Sequence, residues 1–421
     1  MFIRSATRSA LTGTAALAAG LLVLLPGAAR AAVPARSAPA LTVSPPALPR
    51  ADPLPPAPAP PYVDSSALYD SGTQAKPAPG TPAPPGDISA LSWLVADADT
   101  GDVLAADNAH RKLPPASTLK TLFALTAMPH LSASAQRTVT QADLSGIEPG
   151  ASMVGIVPGE SYHVSDLWRG VFLSSGSDAV HALAAMNGGW DTTVAQMQRE
   201  AKRLGARDTH VVSCDGYDHP GQVSSAFDLA VFGRAGLSNP QFAAYASTRD
   251  AQFPGQPGAT FGIQNTNRLL SGAHGVQTYP GMIGIKNGYT SQAGNTLIAA
   301  ARHGDRTILV TVMNPQSGES EAVYNEAREL LDWGFEADGH TTPVGSLRPP
   351  PRVQAAGADG TRGVHGAAPA ARHGRVAEAS GTGAGGSSGF LLPVALIGAA
   401  ALASGGLFAL RRVSRRRGTA G

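Results

Sequence analysis

Hydrophobic and polar positions follow a strand or helix period only in the middle of this 421-residue chain, between about residues 87 and 337. Strand patterns, either alternating or continuously apolar, occur at both ends of that segment. The predicted strands span residues 91–98, 103–106, 282–290, 295–301 and 307–313. Between them, apolar residues recur every three or four positions, as is typical of amphipathic helices. The predicted helices span residues 117–128, 164–172, 179–186, 192–204, 225–235 and 319–333.

This order of elements predicts an α+β fold. Strands at both ends with helices between them indicate one antiparallel sheet, built from both ends of the segment and flanked by helices, with an all-helical lobe inserted. Ser117 is predicted to open its helix as the N-cap or a first-turn residue. Asp191 is predicted to cap the helix over 192–204, and Gly205 to end it.

The segments on either side of this domain have a biased composition. Residues 1–31 combine Arg4 and Arg8, an apolar stretch and a small-residue cleavage site at 29–31, which predicts a secretory signal peptide. Residues 32–86 are rich in Pro and Ala and predict an extended spacer, whereas residues 338–389 are rich in Gly, Ala and Pro and predict a linker. We therefore expect an exported protein with one folded domain at 87–337.

A membrane anchor is predicted near the C-terminus. Residues 390–410 carry no charge, and 21 helical residues at ~1.5 Å each would span about 31 Å, enough to cross a bilayer. Arginines dominate the tail at 411–421, which predicts a stop-transfer signal that keeps this tail in the cytoplasm. The expected topology is a single-pass membrane protein with an extracellular domain.

Composition narrows the classes of function. The formal net charge of +2 is nearly balanced, so nothing in it indicates a nucleic-acid partner. Cys214 is the single cysteine and is predicted to be a small buried hydrophobe. The eleven histidines lack the spacing of metal ligands, so we expect neither a metal nor another cofactor.

The candidate chemistry centres on Ser117-Thr118-Leu119-Lys120. Residues three apart share one face of a helix, so the Ser117 hydroxyl and the Lys120 amine should point the same way. A serine needs a neighbouring base to become a nucleophile, and a lysine held neutral can be that base, whereas an arginine cannot. The helix N-terminus adds N–H groups where an oxyanion could form.

Lysine is scarce in this chain, so a Ser-x-x-Lys spacing is less expected to arise by chance. Only five of the 32 basic residues are lysines, namely Lys76, Lys112, Lys120, Lys202 and Lys286. A lysine kept where arginine is the default suggests that the chemistry requires an amine.

Two further motifs accompany this pair. Ser175-Gly176-Ser177-Asp178 lies between two predicted helices, and Lys286-Asn287-Gly288-Tyr289-Thr290 lies on a predicted strand. The order and spacing of the three motifs resemble the serine D-alanyl-D-alanine carboxypeptidases, which are low-molecular-weight penicillin-binding proteins with Ser-x-x-Lys, Ser-x-Asn and Lys-Thr-Gly motifs. Further matches between about 90 and 335 are Asp97 to Gly101, Pro158 to Glu160, Asp208 to His210, Ser225 to Leu229, Asn265 to Asn267 and Trp333 to Phe335.

The resemblance implies a β-lactamase/transpeptidase-like fold and a role for each motif. Ser117 would attack the carbonyl between the two terminal D-alanines of a peptidoglycan stem peptide, and Lys120 would take its proton. Ser175 would relay a proton from Lys120 to the leaving amine. Lys286 would hold the terminal carboxylate of the substrate and would help to keep Lys120 neutral by repulsion.

The remaining motif residues are implied to bind substrate; they are Ser177, Asn287, Gly288, Tyr289 and Thr290, with the N–H groups of Ser117 and Tyr289 forming the oxyanion hole. β-Lactams would be covalent inhibitors. Two positions depart from the family pattern. Ser177 replaces an Asn whose amide both donates and accepts, and Asn287 replaces a Thr or Ser, for which Thr290 could compensate. We expect the chemistry to be retained with altered affinity.

Two other functions remain open. A serine β-lactamase shares this fold, but a class A enzyme needs a glutamate to activate water, and Glu200 between the second and third motifs lacks that context. A non-catalytic or impaired wall-binding homologue would explain the two departures.

Overall fold

The computed structural model describes residues 63–256 and 258–349. The predicted signal peptide, the first part of the spacer, most of the linker, the membrane span and the basic tail lie outside the described residues. Within the described ranges, no helix combines the length and the apolar character that crossing a bilayer would require.

Strands and helices occur in the order that the hydrophobic pattern predicts, with several short elements added. The strands are β1 (Thr73–Ala75), β2 (Ala90–Asp97), β3 (Asp102–Asp107), β4 (Gln136–Thr138), β5 (Ser161–His163), β6 (Asp250–Pro254), β7 (Thr260–Gln264), β8 (Met282–Thr290), β9 (Gly294–His303), β10 (Arg306–Pro315) and β11 (Gly345–Ser346). The helices are α1 (Lys120–Ala127), α2 (Val164–Leu173), α3 (Ser177–Met186), α4 (Trp190–Leu204), α5 (Ala226–Leu237), α6 (Pro240–Ala246), α7 (Arg268–Ser271) and α8 (Ala322–Ala337).

The main sheet is antiparallel throughout and contains seven of these strands. Its order is β1-β3-β2-β10-β9-β8, and β11 pairs with β3 beside β1. Strands from the two ends of the segment therefore meet at the β2–β10 pair in the middle. This arrangement confirms the predicted α+β architecture.

Helices cover both faces of the sheet. Along β10, Leu309 and Met313 pack into the core on the α5 side, whereas Ile308, Val310 and Val312 pack into the core under α8. A strand buried on both faces reads as a continuous apolar run, which is why the pattern predicted it well. The sheet is thus a rigid wall for the residues carried on its β8 edge.

The helical lobe is built from α1 to α4 and α6, with β4–β5 and β6–β7 as two small two-stranded sheets. Aromatic rings fill its centre: Phe123 of α1 contacts Trp168 of α2, and Phe172 packs edge-on against Phe242. This core fixes α1 and α3, the two helices that carry the first two motifs, relative to each other.

Regular structure begins earlier than the sequence predicted. The segment before residue 87 forms a 3-10 turn at Ser66–Tyr69 and strand β1. Leu68 is 1% exposed, and Pro77 forms a bridge with Thr341 beyond the predicted end of the domain. Proline and alanine are compatible with an edge strand. The Pro- and Ala-rich composition therefore led to the prediction of a spacer where the chain in fact pairs with the edge of the sheet.

A second difference concerns the start of the helix that carries the first motif. Residues Ala116–Leu119 form a 3-10 turn that runs into α1. Ser117 is therefore a first-turn residue, one of the two predicted placements, and Pro115 occupies the N-cap position. Asp191 likewise lies in the first turn of α4, which begins at Trp190. The hydrophobic period predicts that a helix is present but does not fix its first and last residues to better than one or two positions.

Candidate active site

Ser117 and Lys120 meet at the entrance to α1. The Lys120 Nζ lies 2.8 Å from the Ser117 Oγ and donates a second hydrogen bond, of 2.7 Å, to the main-chain carbonyl of Asp215. Lys120 is 2% exposed, so its amine faces inward. A buried amine in contact with a hydroxyl is the geometry that general-base activation of a serine needs.

The backbone around Ser117 is held in an unusual conformation. Ala116 has a φ of +49°, a left-handed value that costs energy in a residue with a Cβ. Gly216 packs against it so closely that a Cβ on Gly216 would lie 2.0 Å from the Ala116 carbonyl oxygen. The Pro115 carbonyl accepts hydrogen bonds from Thr118 and from Thr296 of β9. The sheet and the loop at 216 therefore both fix the position of Ser117, the candidate nucleophile.

Burial sets the proton affinity of the candidate base. It lowers the pKa of Lys120 to about 8, while the carboxylates of Asp215 and Asp178 oppose the fall. Burial was one of the two causes that the sequence suggested for a neutral lysine; the other, repulsion between Lys120 and Lys286, lowers the pKa of Lys286.

Asp215 is a buried carboxylate at the centre of the site, with 4% exposure. Burial disfavours its charge, but the charge of Lys120 and hydrogen bonds from the Tyr217 N–H, Ser177 and Ser213 outweigh this, so the pKa of Asp215 lies below its ordinary value. The Asp215 carboxylate is therefore ionised beside Lys120 at neutral pH.

The two serines of the second motif have different surroundings. Ser177 begins α3, is 2% exposed, and donates from Oγ to the Asp215 Oδ2 at 2.8 Å. Ser175 has a φ of +57°, and its buried Oγ has no hydrogen-bond partner within the described residues. A strained backbone with an unsatisfied hydroxyl is expensive, and such features concentrate at functional sites.

The third motif lies on the edge strand β8. Lys286 is 2% exposed and donates from Nζ to the main-chain carbonyl of Asn287 at 2.7 Å. Burial, and then the charge of Lys120, hold the pKa of Lys286 well below its ordinary value. The Asn287 Oδ1 accepts a hydrogen bond from the Thr266 hydroxyl. This contact holds the Asn287 side chain against the segment that leads into α7.

Gly288 allows β8 to touch the nucleophile turn. A Cβ at this position would lie 2.7 Å from the Ser117 main-chain nitrogen, so only glycine permits the approach. Tyr289 is 68% exposed, and Thr290 donates from Oγ1 to Asp218 at 2.7 Å. Because the Thr290 proton is already donated, Thr290 is a poor substitute for the missing threonine at 287.

The loop at 215–218 connects the two halves of the site. Asp215 bonds to Ser177 of α3, Tyr217 donates from Oη to the Pro149 carbonyl, and Asp218 accepts from Thr290 and from the Gln292 N–H. These contacts join the helical lobe to the sheet edge across the mouth of the site.

A cavity of about 200 Å³ opens where these elements meet. It is lined by Ser117, Lys120, Gly150, Ala151, Ser152, Ser177, Asp215, Tyr217, Asp218, Tyr289, Thr290 and Ser291. Of the nine predicted site residues, five line this cavity. The other four, Ser175, Lys286, Asn287 and Gly288, are not among the described residues that line it. Sequence reasoning missed the 150–152 loop and Asp215, Tyr217 and Asp218. A polar Asp-Gly-Tyr-Asp turn after the apolar pair at 211–212 was the available signal.

Other candidates are structural. Asp178 accepts hydrogen bonds from the N–H groups of Val154, Gly155 and Ile156, and so braces the loop beside the cavity. Glu200 pairs with Arg203 on the surface of α4 and does not line the cavity. Among residues 63–256 and 258–349, no cluster of three or more His, Cys, Asp or Glu side chains is arranged to hold a metal ion.

Comparison with known proteins gives consistent matches. Residues 78–317 match the peptidase S11 family model, which is described as D-alanyl-D-alanine carboxypeptidase. The chain is 40% identical over 275 residues to a D-alanyl-D-alanine carboxypeptidase of Mycobacterium tuberculosis, which covers 65% of this chain and 90% of that protein.

Solved structures agree with this. A crystal structure of D-alanyl-D-alanine carboxypeptidase from Mycobacterium tuberculosis is 38% identical, with a TM-score of 0.58, covering 65% of this chain and 100% of the other. Penicillin-binding protein 6B of Escherichia coli is 34% identical, with a TM-score of 0.55, covering 62% and 81%. The similarity thus extends over the domain that carries the cavity.

Proposed function

This chain belongs to the D-alanyl-D-alanine carboxypeptidase family, and we propose that it removes the terminal D-alanine from peptidoglycan stem peptides through an acyl-enzyme on Ser117. The observation that carries this proposal is the 2.8 Å contact between the Ser117 hydroxyl and an inward-facing Lys120 whose pKa burial lowers to about 8. Family membership supports a hydrolase of this type, with an extracellular cell-wall substrate.

The first half of the reaction forms the acyl-enzyme. The neutral Lys120 amine takes the Ser117 proton as Oγ attacks the carbonyl carbon between the two terminal D-alanines. The carbonyl oxygen becomes an oxyanion, which we propose the N–H groups of Ser117 and Tyr289 stabilise. The close approach of β8 to the Ser117 nitrogen at Gly288 supports this role. The peptide C–N bond then breaks, and the leaving amine of D-alanine receives the proton that Lys120 took.

Ser175 is proposed to pass that proton from Lys120 to the leaving amine. Its buried Oγ has no hydrogen-bond partner within the described residues, so it is free to accept from one group and donate to another when substrate is present. Water then enters and attacks the ester carbonyl as Lys120 takes its proton. The bond to Oγ breaks, Lys120 returns that proton to the Ser117 Oγ, and the shortened peptide is released as a carboxylic acid.

The β8 strand is proposed to hold the substrate. Tyr289 and Thr290 line the cavity directly. Lys286 and Asn287 of the same strand already have partners within the protein. The Lys286 amine donates to the Asn287 carbonyl, and the Asn287 side chain accepts from the Thr266 hydroxyl. A substrate carboxylate would have to draw the Lys286 amine away from that carbonyl, which is consistent with an altered affinity compared with relatives that carry the family motif.

β-Lactams should acylate the same serine. Attack of Ser117 on the lactam carbonyl breaks a ring C–N bond, and the amine stays tethered to the acyl group, so the leaving group cannot diffuse away before water arrives. We therefore expect a long-lived covalent adduct on Ser117.

The test is D-alanine release from a pentapeptide that ends in D-Ala-D-Ala, followed by mass spectrometry. Wild type should release D-alanine, and Ser117→Ala should not, whereas the exposed Ser134→Ala should match wild type because Ser134 lies outside the cavity. A fluorescent penicillin should label wild type and Ser134→Ala but not Ser117→Ala. Absence of both release and labelling in the folded wild type would favour the non-catalytic wall-binding alternative.

We also propose that the enzyme is exported and anchored in the membrane by residues 390–410. The support lies in the sequence: a signal-like N-terminus, an uncharged stretch of sufficient length, and the arginines that follow it. The expected result is that the full chain sediments with membranes and resists extraction with carbonate, whereas a chain ending at residue 389 is soluble. Recovery of the full chain in the soluble fraction would overturn the anchor.

A further inference from the structure

One buried residue contacts both of the first two motifs. The main-chain carbonyl of Asp215 accepts a hydrogen bond from Lys120 at 2.7 Å, and its carboxylate Oδ2 accepts one from Ser177 at 2.8 Å. Asp215 also lines the cavity. None of the three motifs includes this position, and sequence reasoning assigned it no role.

The Asp215 carboxylate is fixed in its orientation. Its Oδ1 accepts from the Ser213 hydroxyl at 3.0 Å and from the Tyr217 N–H at 3.1 Å, while Oδ2 faces Ser177. With both oxygens engaged, Asp215 is not free to swing toward a substrate. Its effect must pass through the groups that it holds.

Ser177 has little freedom to make up for the missing amide by itself. A serine hydroxyl has one proton, and Ser177 gives that proton to Asp215, so its lone pairs alone face the cavity. An asparagine at 177 would instead present both a donor and an acceptor. In this chain the pair of Ser177 and Asp215 therefore stands where the family has the asparagine side chain.

We propose that Asp215 is a positioning residue of this active site: its carbonyl aims the Lys120 amine at Ser117, its carboxylate orients Ser177, and its negative charge faces the base. This inference rests on the proposed function in one respect only, namely that Lys120 is the base.

Several charged groups share this environment. Lys120 comes from α1, Asp178 and His181 from α3, and Lys286 from β8, while Asp218 and His219 follow on the same loop as Asp215. Burial lowers the pKa of His181, and burial lowers those of Lys120 and Lys286 as well. Asp215 is the first of the two carboxylates that oppose the fall at Lys120, so it has the larger influence on the base.

Removing this charge should lower the pKa of Lys120. A nearby anion stabilises the ammonium form, and without it the amine loses its proton at a lower pH. The Asp215→Asn variant is nearly isosteric and keeps the main-chain carbonyl that binds Lys120. The loop also has independent anchors in Tyr217 and Asp218, so it should stay in place.

The experiment measures the titration of Lys120 directly and the pH profile of acylation alongside it. Because the chain has five lysines, ¹³C-labelled lysine should give few enough NMR signals to follow each one, with Lys120→Arg identifying its own. In Asp215→Asn the Lys120 midpoint, and the acidic limb of the penicillin acylation rate, should both move down by about one pH unit.

Two further variants separate the parts of the proposal. Ser177→Ala removes the hydrogen bond but keeps the charge, so it should slow acylation and leave the Lys120 midpoint within about 0.3 pH units. Asp208→Asn is the matched control: Asp208 is a half-buried carboxylate bonded to His110 and Ser225, away from the cavity, and its loss should move neither the midpoint nor the acidic limb.

The outcomes are distinct. A folded Asp215→Asn whose Lys120 midpoint and pH profile match wild type overturns the proposal, as does an equal shift in Asp208→Asn. If wild type releases no D-alanine, the proposed function fails, yet the NMR titration still decides whether Asp215 controls the Lys120 amine.

Discussion

At the scale of single residues, Lys120 determines the pH range in which the enzyme should work. Its amine is the proposed base only when unprotonated, and burial lowers the pKa to about 8. Below that value each unit of pH removes about nine-tenths of the remaining free base. The rate of Ser117 acylation should therefore rise about tenfold per pH unit up to a midpoint near 8 and then level off.

This pH dependence can be measured with a chromogenic cephalosporin under single-turnover conditions. Circular dichroism at each pH controls for unfolding. A rate that does not change between pH 6 and 9 in the folded protein would mean that Lys120 is not the base.

A substitution of Ser175 should change activity while leaving stability nearly unchanged. In Ser175→Ala the backbone keeps its left-handed strain, while a buried hydroxyl without a partner in the described residues is removed. We expect the free energy of unfolding to stay within about 1 kcal/mol of wild type. Release of D-alanine should fall by about 10²- to 10⁴-fold if the hydroxyl relays a proton.

The neighbouring Ser174→Ala is the control for this substitution, because Ser174 ends α2 and does not line the cavity. Unchanged turnover in Ser175→Ala would show that the proton reaches the leaving amine by another route.

Some residues of this site could be predicted from the sequence, and others could not. Ser117 and Lys120 were found because residues three positions apart lie on the same face of a helix. This rule depends only on local sequence. Asp215 is 95 residues from Lys120 in sequence, and its contact depends on how the loop at 215–218 folds across the lobe. No local pattern encodes a contact of that kind.

At the scale of elements, β8 depends on a residue with no side chain at the point where it meets the nucleophile turn. In Gly288→Ala the new Cβ would lie 2.7 Å from the Ser117 nitrogen and 2.9 Å from the Ala116 Cβ. The strand or the turn must move, so we expect a loss of about 1–3 kcal/mol in stability. Acylation should fall by at least about 10²-fold, since a misplacement of 1 Å costs that much.

Gly262→Ala in β7 is the matched control, because the nearest atom to a Cβ there is the end of the flexible Gln252 side chain at 3.8 Å. Urea unfolding and penicillin labelling of both variants test the prediction. Wild-type labelling by Gly288→Ala would show that close contact of β8 with Ser117 is not required.

The elements differ in how well the hydrophobic pattern predicted them. Strand β8 has the predicted bounds. Strands β9 and β10 each extend the predicted range by one residue at the start and two at the end, because their long apolar runs leave few alternatives. The two-stranded sheets β4–β5 and β6–β7 were missed, since strands of three to five residues with partly exposed faces carry little periodic signal.

At the scale of the whole molecule, the segment before residue 87 is part of the domain. Leu68 is 1% exposed and packs under Gly345, and the Trp333 indole donates to the Pro82 carbonyl. Leu68→Ala in the full chain should therefore lower the free energy of unfolding by about 2–5 kcal/mol. Catalytic constants should not change, because the cavity lies at the other edge of the sheet.

Urea denaturation and D-alanine release measure these two effects separately. The exposed neighbour Asp70→Ala should behave as wild type within about 0.5 kcal/mol. An unaltered stability of Leu68→Ala would mean that the early segment contributes nothing to the fold.

Strands β1 and β11 lie side by side on β3, and the Ser346 N–H bonds to the Ser65 hydroxyl, so the two ends of the described polypeptide leave from one corner. Strand β8, which carries the third motif, is five strands away from β11, and at ~4.8 Å per strand this distance is about 24 Å. A tether that begins after residue 349, such as the anchor proposed above, would therefore leave the domain at the sheet edge opposite β8. A substrate would then reach the cavity beside β8 without meeting the point of attachment.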